Sequence, residues 1–169
     1  LFGALYTFLP DRVMACSQGT SSVLTLGGID YRTGEPYVSY ESIKGGFGAR
    51  PTKDGINCIA SGISNMMNTP IEVLEMSFPV RVEEYSVLTD SGGAGKFRGG
   101  CGARRIWRVL GNTARGAVCC ERSKSAPFGL AGGQPGSAAR IRLEDPDGGI
   151  RYPLSKGAFT VPENGRIIF

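Results

Sequence analysis

Residues 90–102 read DSGGAGKFRGGCG, with six glycines in the eleven positions 92–102 and two cations, Lys96 and Arg98, among them. Successive backbone N–H groups in such a loop can form an anion-binding concavity, to which the cations would add charge. A nucleotide-phosphate loop is the sharp form of that reading. The spacing departs from it: a Walker A motif through Gly95 and Lys96 needs glycine where Asp90 stands and a hydroxyl where Phe97 stands. The other reading is a crossover loop between strands, in which glycine supplies positive φ and close backbone approach while Asp90 and Arg98 pair or cap the turn.

Three further groups bear on chemistry. In residues 45–55, GGFGARPTKDG, Arg50 can clamp a carboxylate or phosphate and Asp54 can serve acid/base work; the alternative is an Asp-Gly turn beside a solvated arginine. Glu72 and Glu75 lie three apart, so a helix starting at Pro70 shows both on one face, and coupled carboxylates can act as acid and base. Glu72 equally fits a capping box with Thr69. Asn65 and Asn68 can read an amide-bearing substrate or make turns before Thr69-Pro70.

Composition narrows the field. The 169 residues contain no histidine, which excludes Ser-His-Asp and Cys-His relays and imidazole metal ligands. Five cysteines, an odd number without a C-x-x-C, favour reduced and mostly buried thiols over a zinc site or a disulfide framework. Of the adjacent pair Cys119 and Cys120, one thiol should face the core. A net charge of +4, spread along the chain, hints at anionic partners and argues against nucleic acid. With no long apolar run and no signal-peptide pattern, the expectation is a cytoplasmic protein without a membrane partner.

The elements that must position these groups read as strands. Twenty-six glycines and ten prolines point to a loop-rich chain, and the expected fold class is α+β, β-rich, mostly antiparallel hairpins with one or two short helices, in a single domain over residues 1–169. Alternation predicts hairpins at 139–144 with 150–155, edge-like because of Pro153, and at 23–29 with 37–40. A third is expected at 104–110 with 113–118 through Gly111-Asn112. Residues 78–88 change phase at Glu83-Glu84, which predicts a bulge, and a short helix should run from Pro70 to about Met76. Residues 1–9 read as the last turns of a helix ended by Pro10, and 166–169 as a strand. Both ends look cut, so apolar surface is expected at 1–9 and at 167–169.

Taken together, GGFGARPTKDG (45–55), NTPIEVLEMSFPVRVEEY (68–85), DSGGAGKFRGGCG (90–102) and FGLAGGQPG (128–136) resemble, in order and spacing, the hydantoinase B/oxoprolinase family, from about Pro10 to Lys156. The resemblance implies a carboxy-terminal part of a B-type subunit, truncated at both ends. It implies ATP-dependent opening of a cyclic amide of the 5-oxoproline or hydantoin kind. ATP and Mg²⁺ would sit on a partner A-type, actin-like ATPase subunit, giving a hetero-oligomer. No cofactor or metal is expected in this chain; a divalent metal would belong to the amino-terminal half, whose Asn-Asp-Pro stretch has no counterpart here.

Residue by residue, the resemblance marks Asp54, Glu75 and Asp90 as catalytic candidates. Gly45, Gly46, Gly48, Arg50, Asn68, Glu72, Ser91, Gly92, Gly93, Gly95 and Arg98 are the candidates for a substrate or subunit cleft. Two other readings stay open: a structural module that docks the ATPase subunit, and part of a related carboxylase acting on a ketone such as acetone or acetophenone.

Overall fold

Alternating small apolar and polar residues build two antiparallel sheets that share one core. The computed structural model describes residues 1–60, 62, 64 and 66–169. After the short helix α1 (Phe2–Tyr6) come β1 (Ser22–Ile29), β2 (Pro36–Ile43), the helix α2 (Ile71–Ser77), β3 (Val80–Val87), β4 (Ala103–Val109) and β5 (Ala114–Cys119). They are followed by β6 (Arg142–Glu144), β7 (Ile150–Arg151), β8 (Lys156–Val161) and β9 (Arg166–Ile168). One sheet has the order β2-β1-β5-β8 and the other β3-β4-β9-β6-β7. The chain is β-rich with two short helices among the described residues, as its alternation predicts.

Most of the pattern holds. β1 and β2 pair from Ser22↔Ile43 to Ile29↔Pro36. The hairpin before Pro153 is shorter than expected and supplies the edge strand β7, consistent with a residue that cannot donate to a ladder. In β3 the register shifts between Val82 and Glu84, and this bulge returns Tyr85 and Val87 to the face that β4 buries.

The hairpin expected at Gly111-Asn112 does not form. β4 pairs with β3 and β9, and β5 with β1 and β8, so the four residues between them turn a corner from one sheet into the other. Each strand buries its alternate residues in the shared core, and splitting them between layers lets both faces contribute to it. A second corner, Pro162–Gly165, lies against the first: Asn164 N–H donates to Val109 O, and Val109 N–H to Gly165 O.

Residues from both sheets make the core: Leu24, Leu26, Ile43, Ala114 and Val161 from one, with Val80, Trp107, Val109, Leu143 and Ile167 from the other. Phe169 meets Trp107 edge-on at a centroid separation of 5.9 Å. The carboxy end therefore corrects the expectation of exposed apolar surface: Ile167 and Ile168 are buried, because β9 is a central strand. At the amino end Leu1, Phe2, Phe8 and Leu9 are exposed as expected.

Within that core lies one ion pair. Arg105 of β4 reaches Glu41 of β2 at 3.0 Å, joining the two sheets, with its guanidinium 4.6 Å from the Trp107 ring and 5.1 Å from that of Tyr85. Arg105 is 1% exposed. Removing either partner would leave a buried charge uncompensated, which is how such a pair specifies how the layers meet.

On the outer face of the five-stranded sheet, Glu83 at the bulge accepts from Arg108 of β4 and from Arg166 of β9, the latter at 2.7 Å. Burial pushes its carboxyl upward, but the two guanidinium groups win and hold it below the usual glutamate range. A depressed folded-state value stabilises above the unfolded one and loses that contribution as pH falls through it. Glu83→Gln should accordingly be less stable than the parent at neutral pH in urea titrations, with the gap closing as pH drops below about 4.5, the ordinary glutamate value. A gap that is unchanged at acid pH would contradict this.

Candidate functional site

At one end of the sandwich, where β2, β5 and β9 finish and β1 and β4 begin, four loop segments are knitted together by main-chain bonds. Phe47 N–H donates to Ile56 O, Gly100 N–H to Phe47 O, and Gln18 N–H to Gly46 O. Gln134 N–H donates to Ala94 O, and Ser137 N–H to Ser91 O. None of these bonds lies within a strand ladder. They hold because glycine lets one backbone lie directly on another: a Cβ at Gly46 would fall 1.9 Å from Gly100 O, and one at Gly93 would fall 2.2 Å from Gln134 O.

These loops wall a cleft of about 920 Å³, of the size that takes a small ligand. Its lining includes Gly45, Gly46, Gly48, Arg50, Ser91, Gly92, Gly93 and Gly95 of the sequence candidates. Ser91 holds the loop from within, donating to Leu88 O at 2.7 Å and accepting from Gly102 N–H at 2.9 Å.

Asp54 and Arg98 are outside the lining and act as a brace. Asp54 Oδ1 accepts from Arg98 N–H at 2.8 Å, Gly55 N–H donates to Arg98 O, and Arg50 Nη2 donates to Asp54 O at 3.0 Å. The expected pairing of Asp90 with Arg98 is replaced by this contact; Asp90 itself is exposed with φ +59.

The remaining candidates are elsewhere. Pro70 is the N-cap of α2 with no side-chain cap bond, so the capping box gives way to a proline-started helix and Glu72 is exposed. Glu75 Oε1 accepts from Val82 N–H at 2.7 Å beside the bulge. The C-terminal end of α2 is met by Arg32 of the β1–β2 turn, whose Nη1 donates to Glu75 O and Met76 O, a cation placed where the helix dipole favours one. That turn is at the end of the sandwich opposite the cleft. Asn68 Nδ2 donates to the Tyr85 hydroxyl, and Asn65 falls outside the described residues.

Sequence reasoning passed over the cleft's other wall. Most of residues 127–140 line it, Arg140 among them, with Arg122 and with Lys44 just after β2. The motif FGLAGGQPG was visible, but nothing in it signalled that Arg122, at φ +58, would stand beside the cleft.

Cys120 is buried and Cys119 exposed, as alternation predicts, and all five thiols are free. Burial pushes the Cys58 and Cys120 thiols upward, which keeps them protonated rather than nucleophilic. Among the described residues no three Cys, Asp or Glu side chains converge to hold a metal ion, and no helix is long and apolar enough to cross a membrane. The glycine-rich loop leads into strand β4 rather than a helix, so it lacks the helix N-terminus on which nucleotide loops place a phosphate.

The sequence profile of the hydantoinase B/oxoprolinase family matches residues 1–168, and the chain belongs to that family. It is 39% identical over 154 residues to a 5-oxoprolinase of Dictyostelium discoideum, covering 91% of this chain and 12% of that protein. The fold superposes on the crystal structure of an ATP-dependent caprolactamase from Pseudomonas jessenii with a TM-score of 0.82 and 31% identity, over 98% of this chain and 30% of that one. An acetone carboxylase structure shares the fold, with a TM-score of 0.76 at 20% identity over 99% of this chain and 26% of its own. The chain thus spans less than a third of the length of each.

The backbone contacts set a test of the architecture. Gly46→Ala places a methyl against a carbonyl that cannot swing aside and should cost about 3 kcal/mol in chemical denaturation. Gly102→Ala, whose Cβ would find its nearest atoms at 3.8 and 3.9 Å, should stay within about 0.5 kcal/mol of the parent. Equal losses from both would show that close approach is not what the glycines provide.

Proposed function

We propose that this chain is the carboxy-terminal domain of a B-type subunit in an ATP-dependent cyclic amidohydrolase, one that opens rings of the 5-oxoproline or hydantoin kind. The observation that carries the reading is the likeness, through 98% of the chain at 31% identity, to an enzyme named as an ATP-dependent caprolactamase, since a caprolactam is a cyclic amide. An amide carbonyl is a poor electrophile until its oxygen becomes a better leaving group. ATP with Mg²⁺, held on an A-type actin-like subunit, would supply that activation, and a divalent metal, where one is used, would belong to the amino-terminal half. On this reading the assembly is a cytoplasmic hetero-oligomer.

This chain's residues contribute the cleft. The loops are joined main chain to main chain, and Arg50 and Ser91 line the cleft, Arg50 also donating to the brace formed by Asp54 and Arg98. Asp54 and Glu75 are positioning residues here, each accepting a backbone N–H. Asp90, exposed at the start of the glycine-rich loop and outside the cleft lining, is the carboxylate of the proposed catalytic set with no partner among the described residues. That two of the three carboxylates serve the backbone also favours the second reading, a module that shapes the subunit and docks the ATPase.

The full-length subunit with its A-type partner should release the ring-opened amino acid from 5-oxoproline, hydantoin or caprolactam only when ATP is present. ATP consumption that instead follows bicarbonate and a ketone would overturn the hydrolase reading in favour of a carboxylase. Asp54→Ala is expected to lower this turnover at least tenfold while the subunits still co-elute. Loss of co-elution assigns the brace to assembly instead.

A further inference from the structure

The cleft carries an unusual balance of charge. Lys44, Arg50, Lys96, Arg122 and Arg140 line it without a carboxylate partner among the described residues, and Asp11 is the one unpaired acid beside them. Two more lining cations, Arg104 and Arg142, are paired with Glu84 at 3.4 Å and Glu144 at 2.7 Å, and the lining Glu121 is taken by Lys156 at 2.6 Å.

One of the unpaired cations is withdrawn from solvent as a whole and a second at one nitrogen. Lys44 is 4% exposed, and among the described residues its ammonium has one hydrogen-bond partner, the Ser42 hydroxyl at 3.2 Å. An ammonium has three protons to donate, so two stay unmet. Burial depresses its pKa, with Glu41 pulling the other way, so the charged form carries a solvation cost there. Arg50 Nε is likewise buried with no acceptor among the described residues. Arg122 holds a left-handed backbone, φ +58, and packs its guanidinium 5.9 Å from the Phe128 ring. Backbone strain of this kind persists where the surroundings enforce it, and it gathers at ligand clamps.

Unpaired cations in a concave, partly apolar site are compensated when an anion enters. We propose that the cleft binds a small ligand through an oxyanion, a phosphoryl or carboxylate group, neutralised by Lys44, Arg50, Arg122 and Arg140. The ligand's identity rests on the reading of the cleft as substrate-facing; its charge does not. Phe47, Phe128 and Phe169 in the lining would cover the remainder of the molecule.

Calorimetry with inorganic phosphate and, separately, acetate on the full-length protein tests this without any turnover. Saturable one-to-one binding is expected, at least tenfold weaker in the double variant Arg122→Gln, Arg140→Gln and within twofold of the parent in Arg115→Gln, an exposed residue of β5 away from the cleft. The probe that binds tighter names the oxyanion.

Phenylglyoxal labelling of the unsubstituted protein gives a readout that needs no variant: Arg122 and Arg140 should react, and saturating phosphate should slow the reaction severalfold. No saturable binding of either probe, or an equal loss in Arg115→Gln, overturns the proposal. So does unreactive Arg122 and Arg140 in the ligand-free protein, because another protein segment then fills the cleft. ATP-dependent ring opening, measured in parallel, can persist through each of these failures, so the two readings fall separately.

Discussion

Main chain pressed against main chain is the constraint from which the cleft follows. Gly46 lies on Gly100, Gly48 on Ala15 and Gly92 on Gly99, each so close that a methyl would fall about 2 Å from a carbonyl oxygen. Side chains are thereby removed from the places where the loop segments cross, and the backbone N–H and C=O groups there are satisfied by one another rather than by a ladder. Loops joined this way keep a concave shape without a hydrophobic interior of their own. The hydrophobic core lies behind them, between the sheets.

That core divides the labour between the two ends of the sandwich. One end holds the glycine-rich loops; the other holds α2, tied down by Arg32 at its final carbonyls and by Glu75 at the β3 bulge. Between them the Arg105–Glu41 pair bridges the layers under the rings of Trp107 and Tyr85. A charge pair there offers little net stability over an apolar filling, but it disfavours any sliding of one sheet over the other that would separate the charges. The loop end depends on that fixed relation, because its segments emerge from both sheets.

Much of this was legible in the residues. Alternation located the β1–β2 hairpin, the β3 bulge and the exposed edge near Pro153, since period-two burial follows directly from strand geometry. The turn at Gly111-Asn112 was legible as a turn but not as a corner: its two flanking strands carry the same alternation whether they pair with each other or enter opposite layers. Only the competing partners, β3 and β9 for one strand and β1 and β8 for the other, settle that.

The candidate site shows the same division. The glycine segments were legible because their composition has few other uses. Asp54 and Glu75 drew attention as carboxylates, and their actual partners, the N–H groups of Arg98 and Val82, are 44 and 7 residues away in the chain.

Charge offers the sharpest contrast between chain and fold. Along the sequence the cations are spread, which argued only weakly for an anionic partner. In space, most of the carboxylate-paired cations lie outside the cleft. Outside the cleft, Arg32, Arg108, Arg151, Lys156 and Arg166 each meet a carboxylate, and Glu83 and Glu144 serve two cations apiece. The cleft's own lining holds five cations without a carboxylate partner among the described residues, with a single unpaired acid beside them. The cleft lining is thus more positive than the rest of the chain, with seven cations and two acids among its residues. A site with that balance favours an occupant of opposite sign. Holding Lys44 out of water costs solvation, and an oxyanion entering the cleft returns it through a charge-assisted contact.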